Sequence, residues 1–225
     1  MKRGVLLLVC LLGSLSIFAQ REGLIIGQSC NIYFQRFGTG RPILVVGDPA
    51  LPFRGSESVA QKLSKRNQVI LYDPRGTGRT KLPRVDTSTV NYARTAEDIE
   101  SIRQVLRLPR LILLATPGGH GVVEHYTQKF PEKVDGVIWL TGQVWAPTTF
   151  VRTPKLDSLL AFSPLSKVAK PLPGKPALRV GWAENETFYS TVDQFIRRNR
   201  LDYVAPQPKK VRRPVGRGNI RRKRA

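Results

Sequence analysis

Residues 111–115 read Leu111-Ile112-Leu113-Leu114-Ala115, an unbroken apolar run that passes through Thr116 into the turn Pro117-Gly118-Gly119. As a strand, such a run has no side chain to offer water, so it must be covered on both faces. That excludes a half-exposed antiparallel sheet at this point and requires neighbouring strands with helices on both sides. The chain supplies them. Strand-like stretches recur at 42–46, 68–72 and 134–140, largely apolar but for Gln68, Asp135 and Gly136, and a weaker one at 176–181.

Helical spacing falls between these runs. Residues 56–65 place Val59, Leu63 and the aliphatic part of Lys62 on one side. Thr95-Ala96-Glu97-Asp98 reads as a capping box, followed by a stripe of Ile99, Ile102, Val105 and Leu106 that ends near Leu108-Pro109. A further helix spans about 119–129, and 191–198 sets Val192, Phe195 and Ile196 on one face. Strands alternating with helices at this rhythm predict an α/β fold, a mostly parallel sheet with helices on both faces. Residues 24–26 and 31–37 predict a preceding N-terminal hairpin. Between 144 and 174 the pattern fades into a proline-rich stretch in which only 156–161 looks helical.

With 225 residues and a hydrophobic fraction of 41%, the chain is expected to hold one domain, placed at 20–204. Met1-Lys2-Arg3, the apolar stretch 4–18 and Ala19-Gln20 follow the plan of a secretory signal, assigned to 1–19, and the apolar stretch is shorter than the ~20 residues a spanning helix needs. Export to the periplasm or the exterior is the resulting expectation. Cleavage would remove Cys10 and leave Cys30 as the sole thiol, so neither an internal disulfide nor a multi-cysteine metal site is expected. Of the formal charge of +21, residues 206–225 carry nine positive charges and no acid. The segment 205–225 is therefore expected to be a disordered basic tail. Basic residues without interleaved aromatics suit attraction to phosphate or headgroups better than base reading. Export disfavours nucleic acid and favours an anionic membrane or cell-envelope surface as the tail's partner.

Tyr72-Asp73-Pro74-Arg75-Gly76-Thr77-Gly78-Arg79-Thr80 resembles the Tyr-Asp-Gln-Arg-Gly-x-Gly-x-Ser loop of the prolyl aminopeptidase-like branch of the α/β-hydrolases. Residues 126–134, Tyr-Thr-Gln-Lys-Phe-Pro-Glu-Lys-Val, are similar to that family's helix end and following strand. The resemblance runs over 32–142 and more faintly over 176–186. It implies a hydrolase frame with a reduced cap, no cofactor and no metal, in which a nucleophile sits on a sharp strand-to-helix turn.

The chemistry-bearing positions depart from the family. The family's Gly-x-Ser-x-Gly falls on Ala115-Thr116-Pro117-Gly118-Gly119, putting Pro117 where the serine stands. Proline carries neither a nucleophilic atom nor a backbone N–H. The His-Gly-Gly-Pro-Gly turn that helps build the oxyanion hole falls on Val46-Gly47-Asp48-Pro49-Ala50, so an oxyanion-type turn would draw on Gly47, Asp48 and Gly118. The acid position after the 176–181 strand falls on Glu184, Asn185 or Glu186, with Asn185 best by spacing, and no histidine follows His125. The composition changes abruptly near residue 200, where the family's last strand and histidine would begin, which is what an altered reading frame or truncated gene would produce; an intact gene with a functional tail is the open alternative.

The leading expectation is a catalytically inactive hydrolase-like protein that binds a small molecule or peptide. The alternative is an active peptidase or esterase using Thr116 as nucleophile with His120 as base and Glu184 or Glu186 as the orienting acid. A third reading makes the tail an electrostatic tether. His120 and His125, five apart, share no helix face suited to a metal. Asp73 and Arg75 are expected to hold their loop together rather than act on a substrate, and Asp48-Pro49 reads as a turn.

Overall fold

The computed structural model describes residues 21–26, 30–49, 57–82, 87–142, 173–183 and 185–199. The expected signal, the helical stretch at 156–161, Ala50, Glu184 and the basic tail lie outside the described residues. Seven strands form one sheet in the order β1-β2-β4-β3-β5-β6-β7. They are β1 Arg21–Ile26, β2 Asn31–Phe37, β3 Arg41–Val46, β4 Asn67–Tyr72, β5 Leu111–Ala115, β6 Val134–Thr141 and β7 Ala177–Gly181. The expected hairpin is the antiparallel pair β1–β2, and β2 also runs antiparallel to β4. All remaining pairings are parallel. A mostly parallel α/β sheet with an N-terminal hairpin is therefore what the chain forms.

Strand periodicity explains the continuous apolar runs. Alternate residues of one strand face opposite sides of the sheet, so a strand covered twice is apolar throughout. Leu44, Val46, Leu111, Leu113 and Ala115 enter one core with Ile99, Ile102, Val122, Val123 and Tyr126. Ile43, Val45, Ile112 and Leu114 enter a second core with Val59, Leu63, Phe188, Val192 and Ile196. The helices supplying those partners are α1 Glu57–Leu63, α2 Tyr92–Val105, α3 His120–Lys129 and α4 Glu186–Arg198. Thus α2 and α3 cover one face while α1 and α4 cover the other.

Two helix starts correct the sequence reading. The capping box expected at Thr95 is not the start of α2. Asn91 caps it, accepting the Arg94 N–H, and Thr95 lies inside the helix with its hydroxyl donating to the Asn91 carbonyl at 2.9 Å. Similarly, α4 begins at Glu186, not Thr191, because Asn185 accepts the Phe188 N–H at 3.0 Å. In each case an asparagine cap outcompetes a later start by satisfying a donor that the first turn leaves open. The end of α2 also differs. It stops at Val105, and the left-handed Arg107, with φ of 54°, lets the Leu108 N–H reach back to the Arg103 carbonyl at 2.9 Å.

Candidate active-site crevice

Consecutive strands β3 and β4 lie side by side, and the chain then returns across β3 to place β5 on its other flank. In an open parallel sheet this reversal leaves a crevice beyond the carboxyl ends of the two strands where it occurs, and that is where such folds bind ligands. Here those ends carry Gly47-Asp48 after β3 and Thr116-Pro117-Gly118 after β5. The Thr116 N–H donates to the Val46 carbonyl at 2.9 Å and ties the two turns together.

The glycines let the turns touch. A Cβ on Gly119 would lie 2.2 Å from the Val46 carbonyl oxygen, and one on Gly118 would lie 2.8 Å from the Asp48 Cβ and 2.9 Å from its Oδ2. The structure therefore brings Gly47, Asp48 and Gly118 together. Gly118 is the second residue of a 3-10 turn over Pro117–Gly119, so its N–H has no acceptor within that turn.

The neighbouring hydroxyl and imidazole are placed differently from a reacting pair. Thr116 is buried, with φ −73° and ψ 162°, and its side chain caps nothing. Among the described residues, the only non-glycine residue with positive φ is Arg107, so 116–120 lack a residue forced into the left-handed region. A sharp, strained turn is what normally lifts a nucleophile clear of the sheet. Pro117 instead opens the 3-10 turn, a position its fixed φ suits.

His120, the first residue of α3, turns back under the sheet end. Its Nε2–H donates to the Leu140 carbonyl at 3.2 Å, and the ring meets Trp139 edge-on with centroids 5.0 Å apart. Burial lowers its pKa from the usual imidazole value, although the Leu140 and Ala115 carbonyls pull the other way. With Nε2 spent as a donor, Nδ1 is the ring nitrogen left with a lone pair. His125 lies on the exposed side of α3 with Nδ1 at 2.9 Å from the Gly121 carbonyl, apart from His120. Glu186 is exposed in the first turn of α4, where the helix dipole favours an acid, and Asn185 is spent as the cap. Among the described residues no group of three or more His, Cys, Asp or Glu could hold a metal ion.

The 72–80 loop flanks the crevice and is internally braced. Asp73 Oδ2 accepts the Arg79 N–H at 2.8 Å, the Thr80 hydroxyl donates to the Asp73 carbonyl at 2.7 Å, and Tyr33 N–H donates to Thr80 Oγ1 at 2.9 Å. Arg75 turns inward and forks onto Asp98 of α2, Nε to Oδ2 at 2.8 Å and Nη2 to Oδ1 at 2.6 Å, with both side chains buried. Cys30 Sγ lies 4.0 Å from the same carboxylate, and burial raises its thiol to about 11. This pair was not visible in sequence, since its members stand 23 positions apart. The inward-facing Arg75 serves packing, and Asp73 closes its own loop.

Comparison with known proteins agrees with this geometry. A family model described as the alpha/beta hydrolase fold matches residues 47–177. The proline iminopeptidase of Heyndrickxia coagulans is 31% identical over 134 residues, which is 56% of this chain and 44% of that protein. An epoxide hydrolase from Vigna radiata superposes with a TM-score of 0.51 at 19% identity, over 64% of this chain and 46% of the other. A laboratory-evolved potato epoxide hydrolase gives 0.51 at 16% identity, over 64% and 46%. The chain thus spans less than half the length of each of these relatives, and likeness to the two epoxide hydrolases extends to the fold alone. With more than half of its residues matched and with the strand order and crevice described above, this chain belongs to the α/β hydrolase fold family and is similar to proline iminopeptidase across its core.

Proposed function

We propose that this protein is an exported, catalytically silent α/β-hydrolase whose crevice beyond β3 and β5 binds a small molecule or peptide without cleaving it. The observation that carries the reading is Pro117, a residue with no reactive atom, at the first position of the turn where the family mounts its nucleophile. The crevice keeps the donor side of a hydrolase, with Gly118 against Asp48, but an oxyanion cradle accelerates nothing unless a group attacks. The similarity to proline iminopeptidase makes a peptide or amino-acid derivative with a proline-like end the ligand class to try first.

The competing reading keeps activity through Thr116 with His120 and Glu184 or Glu186. One feature weighs against it: the backbone at Thr116 is unstrained. Incubating the full chain with a fluorophosphonate probe and with prolyl arylamide and acyl ester substrates separates the two. The silent reading expects no labelling and no turnover above background. Labelling and turnover that both vanish in Thr116→Ala overturn it.

A further inference from the structure

The hairpin β1–β2 presents an apolar face that neither core uses. Leu24 is 60% exposed and Ile26 83%, and among the described residues Val105 is the only other large hydrophobic side chain so placed. Ile25, between them, points the other way and is buried in the first core. Across the ladder, Tyr33 stands opposite Leu24 and Asn31 opposite Ile26, so these four side chains share one face. A single exposed aliphatic side chain is ordinary, but two neighbours beside an aromatic ring make a patch. Among the described residues β1 pairs with β2 alone, in an unbroken register, and residues 23–26 carry none of the charges, prolines or bulges that usually blunt an edge strand.

The rim of the patch is basic. The Arg79 guanidinium lies over the Tyr33 ring at 4.5 Å, Lys81 forms an isolated antiparallel bridge with Asn31, and Arg21 opens β1. Glu22, the one acid of the two strands, is held by the Tyr33 hydroxyl and by Arg79. The patch also lies at the crevice end of the sheet. Phe34 stands opposite Tyr72, the last residue of β4, so Asn31 and its partner Ile26 reach past the carboxyl end of that strand by roughly 10 Å.

We infer that this face of the hairpin docks on an anionic lipid bilayer, with Leu24 and Ile26 entering the headgroup boundary and Tyr33 and Arg79 resting at headgroup level. Aliphatic side chains beside a tyrosine, with cationic side chains around them, suit a membrane–water interface. Charge selects the occupant. A formal charge of +21 repels a second copy of the chain from this edge and draws in an anionic bilayer. Two shallow aliphatic side chains alone give marginal, reversible attachment, and a polybasic segment is the second signal that makes attachment stable. Residues 206–225, with nine positive charges and no acid, supply it. The pose turns the crevice end of the sheet toward the bilayer, and it does not depend on whether the crevice is catalytically silent.

Co-sedimentation of the chain, as it is recovered from cells, with vesicles of mixed phosphatidylglycerol and phosphatidylcholine tests the inference. Leu24→Ser combined with Ile26→Ser is expected to weaken partition about tenfold or more. Ile26→Trp is expected to hold or tighten it, because indole favours the interface. Val105→Ser removes the other exposed aliphatic side chain, at the end of α2, and is expected to leave partition unchanged. Vesicles of phosphatidylcholine alone are expected to retain the wild-type chain more weakly. Residues 1–20 and 206–225 are the same in every variant, and all the substituted side chains are exposed, so the differences report the hairpin. A wild-type chain that stays in the supernatant overturns the inference, as does a double variant that partitions like wild type or an equal loss in Val105→Ser. A wild-type dimer in analytical ultracentrifugation that becomes a monomer in the double variant also overturns it, because a second copy would then cover β1.

Discussion

Replacing Arg75 by Met leaves the Asp98 carboxylate inside α2 with its forked partner gone and with only a raised-pKa thiol, Cys30, at 4.0 Å. Both side chains of the wild-type pair are nearly sealed from water, 2% and 7% exposed. A bare carboxylate there has one escape, which is to take up a proton. Doing so at pH 7, against a solution pKa near 3.9, costs about 4 kcal/mol at ~1.36 kcal/mol per pH unit. That is the upper limit of the loss of stability at pH 7, because burial holds the Asp98 pKa above its usual value even with Arg75 in place, and it lies inside the ~3–5 kcal/mol seen when one partner of a buried pair is removed. At pH 5 the same arithmetic leaves about 1.5 kcal/mol. The sign follows from linkage. In the variant the folded-state pKa of Asp98 lies above its unfolded value, so the variant is relatively more stable below the unfolded pKa and loses ground as pH rises. Urea unfolding at both pH values measures this, with the m-value checked for constancy. At pH 7 the melting temperature should drop by roughly 8–16 °C for a chain of this size. Adding Asp98→Leu removes the stranded charge and should recover most of the loss. A penalty equal at pH 5 and pH 7, or a double variant no more stable than Arg75→Met, refutes the reasoning.

Gly119→Ala should unfold the crevice or lower stability by about 3 kcal/mol or more, because the new methyl would meet the backbone oxygen of Val46 at 2.2 Å and backbone cannot rotate away as a side chain does. Circular dichroism melting checks it, and a loss under 1 kcal/mol (roughly) would contradict the close approach of the two turns. Glu100 supplies an acid-side prediction. Burial acts to raise its pKa, but the fork from Arg103 at 2.6 and 2.8 Å and bonds from Gln104 and Tyr126 outweigh it, so the pKa is lowered. Its contribution is thus complete above its unfolded value near ~4.3 and is lost as pH falls through the lower folded value. Compared with Glu100→Gln, the wild-type chain should hold its advantage at pH 6 and lose it in the acid range below pH ~4, as read by urea midpoints.

Several elements were legible because their signal is local. A strand that must be covered twice is apolar along its buried length, and 42–46, 69–72, 111–115 and 137–140 announced this directly. The family loop at 72–80 and the proline at 117 could also be read from order alone. Helix starts could not. Thr95-Ala96-Glu97-Asp98 has the composition of a capping box, yet Asn91 reaches its donor first, and no local rule ranks one competent cap above another four residues away. Nor did composition announce the end of α2, since Arg107 takes the left-handed position usually given to glycine.

The amino-acid order by itself determined the kind of layers this protein builds and the proline that opens the strand-to-helix turn, because burial on two faces and the chemistry of a proline are properties of residues and their immediate neighbours. Tertiary structure alone decided which partners those residues meet. The reversal of strand order put Gly118 against Asp48, folded Arg75 onto Asp98 and engaged His120 with Leu140. Each of these contacts joins segments far apart along the chain, and their energies depend on separation and burial, quantities that exist only after the sheet has closed over its two cores.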